Sequence, residues 1–243
     1  ASALADLLVH TARADEAAPY FEQSLACKDV ASGWLAECSN ALFYAHHAGA
    51  QDGTSMLERA KAYGARLTAE HVPHYRHKPR RRHEKIRVGY VSADLCRHVV
   101  AFFAYALLRA YDHNAFEVYC YMNGAEDGVS DEFRGWVDGW RNVRGQSYAA
   151  IAQQIYDDEI DILFDLGGHT AGNLLPVFAY RPAPIQMTGI GYFDTTGLPE
   201  MDAFLADRVT LPEGETAPFT ERILRMEHSH LCYMWHDDPP HEG

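Results

Sequence analysis

The sequence predicts an α/β lobe built on a mostly parallel, doubly wound sheet and preceded by an all-α segment. Three observations carry this. From residue 85 onward, strand-like and helix-like stretches alternate as βαβαβ, the pattern that sandwiches a parallel sheet between helical layers. Before residue 70, small and apolar residues recur at helical spacing. Between them, residues 71–84 hold Pro73, Pro79, several histidines and a basic run without periodicity, which reads as a linker. The expected organisation is therefore 1–70 helical, 71–84 linker and 85–243 α/β lobe.

In the first segment, Leu4, Leu7 and Leu8, then Ala17, Ala18, Phe21 and Leu25, then Leu35, Ala41, Leu42 and Tyr44 mark packed helix pairs. The stretch LADLLVHTARADEAAPYFEQSLACKD has the small-residue and aromatic placement of one tetratricopeptide unit. A solenoid needs about three such units to bury its face, so an array begun upstream and a plain helical bundle both stand. In the linker, His71, His74 and His77 invite a metal assignment. Pro73 forbids a regular helix through them, and neither carboxylate nor thiolate completes a set, so a solvated, charged connector is expected.

In the lobe, IRVGYVS reads as a buried strand, AFFAYALLRAY as a helix, FEVYCYM as a strand, SYAAIAQQIYDDE as a helix and IDILFDLGG as a third strand. Arg181-Pro182-Ala183-Pro184 closes a further helix, because a residue ahead of proline leaves the helical region, and Ile185–Thr188 reads as a short strand. Ligands of open parallel sheets sit beyond the carboxyl ends of the strands. Functional residues are therefore expected just after Ser92, Met122, Leu166 and Thr188.

The stretches at those places are polar. After the first strand, SADLCRH puts Ser92 and Asp94 at the strand end and His98 at a helix start. An imidazole there can exchange a proton near neutral pH, or simply cap the helix. Cys96 lacks a base partner and is expected to be inert. Glu126 and Asp127 in NGAEDG read as turn acids. After the third strand, DLGGHTAGN frees backbone amides at Gly167 and Gly168, adds donors at His169 and Thr170, and offers Asn173 as a cap, which suits a phosphate or a sugar hydroxyl. It is neither the P-loop nor the GxGxxG dinucleotide fingerprint, so a nicotinamide dehydrogenase is disfavoured. After the fourth strand, Gly189, Gly191 and Gly197 alternate with Tyr192, Asp194, Thr195 and Thr196, which reads as a ligand-lining loop or as a tight turn packed on its own domain.

Composition bounds the function classes. The 243 residues are 47% hydrophobic, enough for a real core, and carry a formal charge of −13. Nonspecific adhesion to nucleic acid or an anionic bilayer needs a basic face, so neither is an expected partner. Cys27, Cys38, Cys96, Cys120 and Cys232 are odd in number and form no CxxC pair, which argues against a disulfide framework and a four-thiolate zinc site and points to a reducing cytoplasm. No apolar run approaches the roughly 20 residues that span a bilayer, and no basic start leads into an apolar signal core.

With these residues in place, the chain resembles the O-linked N-acetylglucosamine transferases of the SPINDLY type, over the amino-terminal half of their catalytic region. KIRVGYVSADLCRH, FEVYCYM, DILFDLGGHT, the RPAPIQ…GYFDTTGLPEMD run and FTERILRM occur in the family's order. SNALFYAH at Ser39–His46 is similar to the helix that joins the family's tetratricopeptide array to the catalytic region. The resemblance implies an α/β Rossmann-like lobe, one half of a GT-B glycosyltransferase, preceded by a tetratricopeptide-like helical segment. It implies an inverting reaction in which a serine or threonine hydroxyl of a polypeptide attacks UDP-N-acetylglucosamine and UDP leaves. That nucleotide sugar is a substrate; no separate cofactor and no metal is implied.

His98 falls on the family's active-site histidine, proposed there as base or as a donor-site contact. Gly168, His169 and Thr170, with Gly191, Tyr192 and Thr195, fall on loops that face the donor and are the expected substrate-binding residues. The chain departs from the family at Gly191-Tyr192-Phe193-Asp194, where Gly-Tyr-Pro-Gly is frequent, and at His169, where a tyrosine is frequent. Gln153 stands where the family carries an aspartate, so that acid's role is not carried over. Rival readings are a noncatalytic peptide-binding module and a glycosyltransferase with a non-protein acceptor. The chain opens without Met and offers about one doubly wound lobe past the linker, so a carboxy-terminal lobe that would grip UDP is expected to be missing from it. Alone, the chain is expected to bind UDP weakly or not at all while a longer form binds it; titration calorimetry giving equal, tight affinity for both would overturn this division of labour.

Overall fold

The structure, a computed structural model, describes residues 1–31, 33–48, 53–70, 72–77, 84–214 and 218–234. It opens with four helices, α1 (Ser2–His10), α2 (Ala14–Ala26), α3 (Trp34–Ala45) and α4 (Gly53–Ala69). Ala5, Leu8, Ala17 and Phe21 of the first two pack against Ala41 of α3, so small residues let the helices approach as the sequence pattern predicts. The lobe follows as β1 (Ile86–Ser92), α5 (Val99–Arg109), β2 (Phe116–Met122), α6 (Gly128–Trp136), β3 (Gly139–Asn142), α7 (Tyr148–Asp157), β4 (Ile162–Asp165), α8 (Leu175–Phe178), β5 (Ile185–Thr188), β6 (Ala203–Asp207) and β7 (Arg222–Met226).

All seven strands pair in parallel, in the order β3-β2-β1-β4-β5-β6-β7. The chain builds outward from β1 to β3, then returns past β1 to lay down β4 through β7. The carboxyl ends of β1 and β4 therefore flank the point where the winding reverses, the place where such sheets bind ligands. Alternation along the strands divides two cores. Val118, Cys120, Met122 and Phe164 face α5 and α6, while Tyr121, Val91 and Leu163 face α7 and α8.

The sequence reading missed α6, β3, β6 and β7. Asp127, read with Glu126 as a turn acid, instead caps α6, accepting from the N–H groups of Val129 and Ser130, while the Ser130 hydroxyl accepts from the Asp127 N–H. Helix α6 is largely polar and β3 is only four residues long, so neither has a repeating apolar pattern to detect.

The linker also differs from expectation. Its described part, residues 72–77, is not a solvated connector but lies along the lobe. Tyr75 donates its N–H to Tyr180 O at 2.9 Å and its hydroxyl to Gln153 Oε1 at 2.9 Å, and its ring stacks on Tyr156. His74 reaches Glu200 at 3.2 Å and His77 Nε2 reaches Arg181 O at 2.8 Å, so both imidazoles serve packing. His71 and the basic run at 80–82 lie outside the described residues. Among the described residues, no cluster of His, Cys, Asp and Glu could hold a metal ion, and no helix is long and apolar enough to cross a membrane.

Helices α3 and α4 are part of the lobe's packing. The connection from β5 to β6 contains no helix, which would leave that end of a parallel sheet uncovered. Ala60, Tyr63 and Leu67 of α4 and Leu35 and Leu42 of α3 share one core with Leu198, Met201, Val91 and Leu163 and supply the cover. Each such large apolar side chain contributes about 1.5–3 kcal/mol on burial, so the junction near residue 70 is not a cleavage line between independent domains. The closest approach is glycine on glycine: a Cβ on Gly64 would stand 2.1 Å from Gly197 O, and one on Gly197 would stand 2.0 Å from Ala60 O. Gly64→Ala is expected to destabilise the chain by about 1–3 kcal/mol through overpacking. Gly135→Ala on the open side of α6, where nothing lies within 4 Å of the added carbon, should be neutral or slightly stabilising. Urea midpoints of the two variants check this contrast.

Candidate functional site at the carboxyl edge of the sheet

Three loops meet at the carboxyl edge: 93–98 after β1, 166–174 after β4 and 189–197 after β5. Their backbones are in contact. A Cβ on Gly172 would lie 3.0 Å from Ala93 Cβ, and one on Gly191 would lie 2.0 Å from Leu166 O and 3.4 Å from Val100 Cγ2. Asn123, after β2, ties in by donating Nδ2–H to Gly172 O at 2.8 Å.

The first loop is shaped by α6. Asp127 Oδ2 accepts the Arg97 N–H at 2.8 Å, and Ser130 donates its hydroxyl to Leu95 O at 2.7 Å. The Arg97 amide, joined by the amides of α6, holds the Asp127 carboxyl below the usual range. At the loop's end His98 caps α5 with extended backbone, and its Nδ1 accepts the Val100 N–H at 3.3 Å. Its side chain is 44% exposed, and Asp94 Oδ2 stands 3.9 Å from Nδ1. Because Nδ1 accepts, the neutral ring carries its proton on Nε2, so His98 meets solvent as a hydrogen-bond donor. Burial pushes the Cys96 thiol up, which keeps it protonated and a poor nucleophile.

The second loop hangs on Asp165, the last residue of β4. Its buried carboxylate accepts from Gly167 N, from Gly168 N at 2.7 Å and from the Thr188 hydroxyl at 2.7 Å, while burial raises its pKa against those bonds. Gly168 has φ +52°, and a Cβ there would stand 2.4 Å from Tyr192 Cβ. Gly168 and Gly191 thus let one loop seat against the other; the side each leaves bare is filled by a neighbouring loop.

His169 points inward and is fully buried. Its Nε2 donates to Thr196 O at 2.9 Å, and its Nδ1 accepts from the Ser39 hydroxyl of α3 at 2.9 Å. Tyr63 meets the ring edge-on at 4.8 Å and Tyr192 at 5.5 Å. Desolvation lowers its pKa to about 4, so it is neutral at physiological pH. Tyr192 is buried too. Its hydroxyl shares a 3.1 Å hydrogen bond with His46 Nε2, which stands 3.5 Å from Asp194 Oδ2. Thr195 donates its hydroxyl to buried Glu221, whose other oxygen accepts both the N–H and the hydroxyl of Thr196. Of the residues expected at a ligand surface, then, His98 is exposed and Thr170 is half-buried with its hydroxyl oxygen enclosed, whereas His169, Tyr192 and Thr195 are turned into the protein, where they hold the loops together.

Sequence reasoning missed the other halves of these pairs. Glu221 lies in FTERILRM, and Ser39 of α3 and His46, the residue that ends it, are seven residues apart, a spacing of two helical turns that was there to be read. A buried Asp207–His230 pair at the end of β6, 2.7 Å apart, was also not anticipated. The neutral state of His169 has a pH consequence. The unfolded imidazole binds a proton near its ordinary 6.5 and the folded one only near 4, so the unfolded state holds more protons in between. This stability is complete above pH 6.5 and is lost as pH falls toward 4. Lowering pH from 7 to 5 is expected to cost about 2 kcal/mol in urea unfolding, and His169→Gln is expected to remove that slope.

Comparison with known proteins follows the same outline. Residues 54–237 match the family model described as Glycosyl transferase family 41, a span that takes in α4 as well as the lobe. The chain is 38% identical over 151 residues to the probable UDP-N-acetylglucosamine–peptide N-acetylglucosaminyltransferase SPINDLY of Oryza sativa subsp. japonica, covering 60% of this chain and 16% of that protein. It is 33% identical over 153 residues to the UDP-N-acetylglucosamine–peptide N-acetylglucosaminyltransferase of Caenorhabditis elegans, covering 60% of this chain and 13% of the relative. Among solved structures, a mutant O-GlcNAc transferase from Thermobaculum terrenum superposes with a TM-score of 0.86 at 29% identity, over 94% of this chain and 44% of that one. The chain thus spans a small part of the curated relatives and less than half of the solved one, with helices and sheet in the same arrangement. It belongs to glycosyl transferase family 41, as its Rossmann-like half of a GT-B enzyme.

Proposed function

We propose that the protein carrying this chain transfers N-acetylglucosamine from UDP-N-acetylglucosamine to serine or threonine hydroxyls of polypeptides, in a cytoplasmic setting. The chain supplies the acceptor-side lobe, and a second lobe supplies the grip on UDP. The observation that carries this reading is the exposed His98 at the switch point of the sheet, in a chain whose family relatives bear that activity in their names. Three bound loops around it give a fixed wall, and catalysis by such a site comes mainly from positioning and from stabilising the departing diphosphate.

The geometry of His98 favours donation over abstraction. With Nδ1 engaged by the Val100 N–H, Nε2–H is presented outward, fit to hydrogen-bond an oxygen that gains charge as UDP leaves. Service as a base would require the ring to shift its proton to Nδ1 and turn toward Asp94, whose nearer oxygen is 3.9 Å away. Full-length protein incubated with UDP-N-acetylglucosamine and candidate polypeptides is expected to add one N-acetylhexosamine per modified hydroxyl by intact-mass measurement. His98→Ala is expected to slow that transfer by about 10²–10⁴-fold. Transfer by His98→Ala at the wild-type rate would remove His98 from the mechanism.

A further inference from the structure

A displacement at a sugar carbon needs two groups: one that meets the charge gathering on the leaving oxygen, and one that takes the proton of the attacking hydroxyl. His98, with Nε2–H turned outward, fits the first task and leaves the second unassigned. Most carboxylates at the carboxyl edge are already engaged. Asp127 caps α6, Asp165 ties Gly167 and Gly168, Asp207 holds His230, and Glu221 holds Thr195 and Thr196. Asp194 accepts the Thr195 N–H and faces His46. Each of these would have to release a bond that holds a loop before it could take a proton.

Asp94 differs. It lies in the loop after β1, in the turn that leads to His98, and is fixed through its main chain: its N–H donates to Ser92 Oγ at 2.9 Å. Its carboxylate accepts no hydrogen bond from any described residue, and the group that faces it is His98, whose Nδ1 stands 3.9 Å from Oδ2. That nitrogen accepts the Val100 N–H, so no proton stands between the two while the ring is neutral. The Asp94 side chain is 20% exposed, open to a ligand yet incompletely hydrated. Burial accordingly raises its carboxyl, against the opposing pull of His98, which makes the carboxylate a better proton acceptor than a free one. The separation points the same way. Inverting displacement at a sugar carbon parts the two working groups by about 6.5–9.5 Å, leaving room for the attacking oxygen. His98 Nε2 lies across the ring from Nδ1, so it stands beyond 3.9 Å from the carboxylate.

We infer that Asp94 is the proton acceptor for the hydroxyl that is modified, working opposite His98. This rests on the transfer reaction proposed above. The hydroxyl oxygen bonds to the anomeric carbon as the bond from that carbon to the diphosphate breaks. The electron pair of the broken bond leaves with UDP beside His98 Nε2–H, and the hydroxyl proton passes to an Asp94 oxygen, from which solvent later takes it. In the full-length protein, Asp94→Asn is expected to slow transfer to a serine peptide about 10²–10⁴-fold. Asp94→Ala should be as slow, and sodium formate, a free carboxylate small enough for the space left, is expected to restore its rate about tenfold or more over sodium chloride at equal ionic strength. UDP affinity by calorimetry should stay within about twofold in both variants, which also reports that they are folded. Transfer by Asp94→Asn at the wild-type rate overturns the assignment and leaves the transfer reaction standing. So does a slow, folded Asp94→Ala that formate fails to revive, which marks a structural role. A loss of UDP affinity in folded protein assigns the carboxylate to the donor and likewise overturns it. A wild-type protein that modifies no polypeptide removes the transfer reading and the role of Asp94 with it.

Discussion

A single neutral imidazole sets the geometry on which the rest of the edge depends. His169 is enclosed on all sides, so a charge on it would be unsolvated, and each of its nitrogens has one partner: the Ser39 hydroxyl on one side and the Thr196 carbonyl on the other. Those partners belong to a helix before the lobe and a loop late in it. Apolar burial between α3, α4 and the sheet supplies most of the attraction, since each large side chain contributes about 1.5–3 kcal/mol against about 1 kcal/mol for a hydrogen bond. Burial has no direction, however. The imidazole fixes which turn of the helix faces which residue of the loop.

Two buried carboxylates complete the arrangement. Asp165 gathers the amides of Gly167 and Gly168, and Glu221 gathers Thr195 and Thr196, so the loops after β4 and β5 are each tied at the root and seated against one another through Gly168 and Gly191. Because these groups are spent internally, few side chains of these loops are exposed, Arg97, His98 and Phe193 among them. Economy of outward groups is what a rigid binding wall requires, since a side chain that both braces a loop and binds a ligand would do each in competition with the other.

Much of the fold was legible because a parallel strand buried on both faces is a nearly continuous apolar run. IRVGYVS and FEVYCYM became β1 and β2 in register from Ile86–Phe116 to Ser92–Met122. Strands β3, β6 and β7 were not legible, being four or five residues long and set toward the ends of the sheet. The convergence of the loops was legible too, since the alternation of strands and helices implies where they meet. The orientation of the side chains on those loops was not. Whether His169 or Thr195 faces out depends on partners 130 and 26 residues away, Ser39 and Glu221, and no local pattern records such a pairing. The linker failed for a related reason: proline and charge mark the absence of a helix, but they do not say whether an extended chain is free or laid against a surface, as Tyr75 is against Tyr156.

The same contacts place two differently charged stretches side by side along the edge. At the switch point, Arg97 and His98 are exposed donors beside a helix start, the kind of place that meets negative charge. A short way along the edge, a cavity of about 170 Å³ against α3 is lined by no charged side chain. Their separation depends on the attachment of α3 to the loop after β4 through Ser39 and His169. The buried histidine that gives the fold its register is therefore also what keeps the two surfaces at a constant separation.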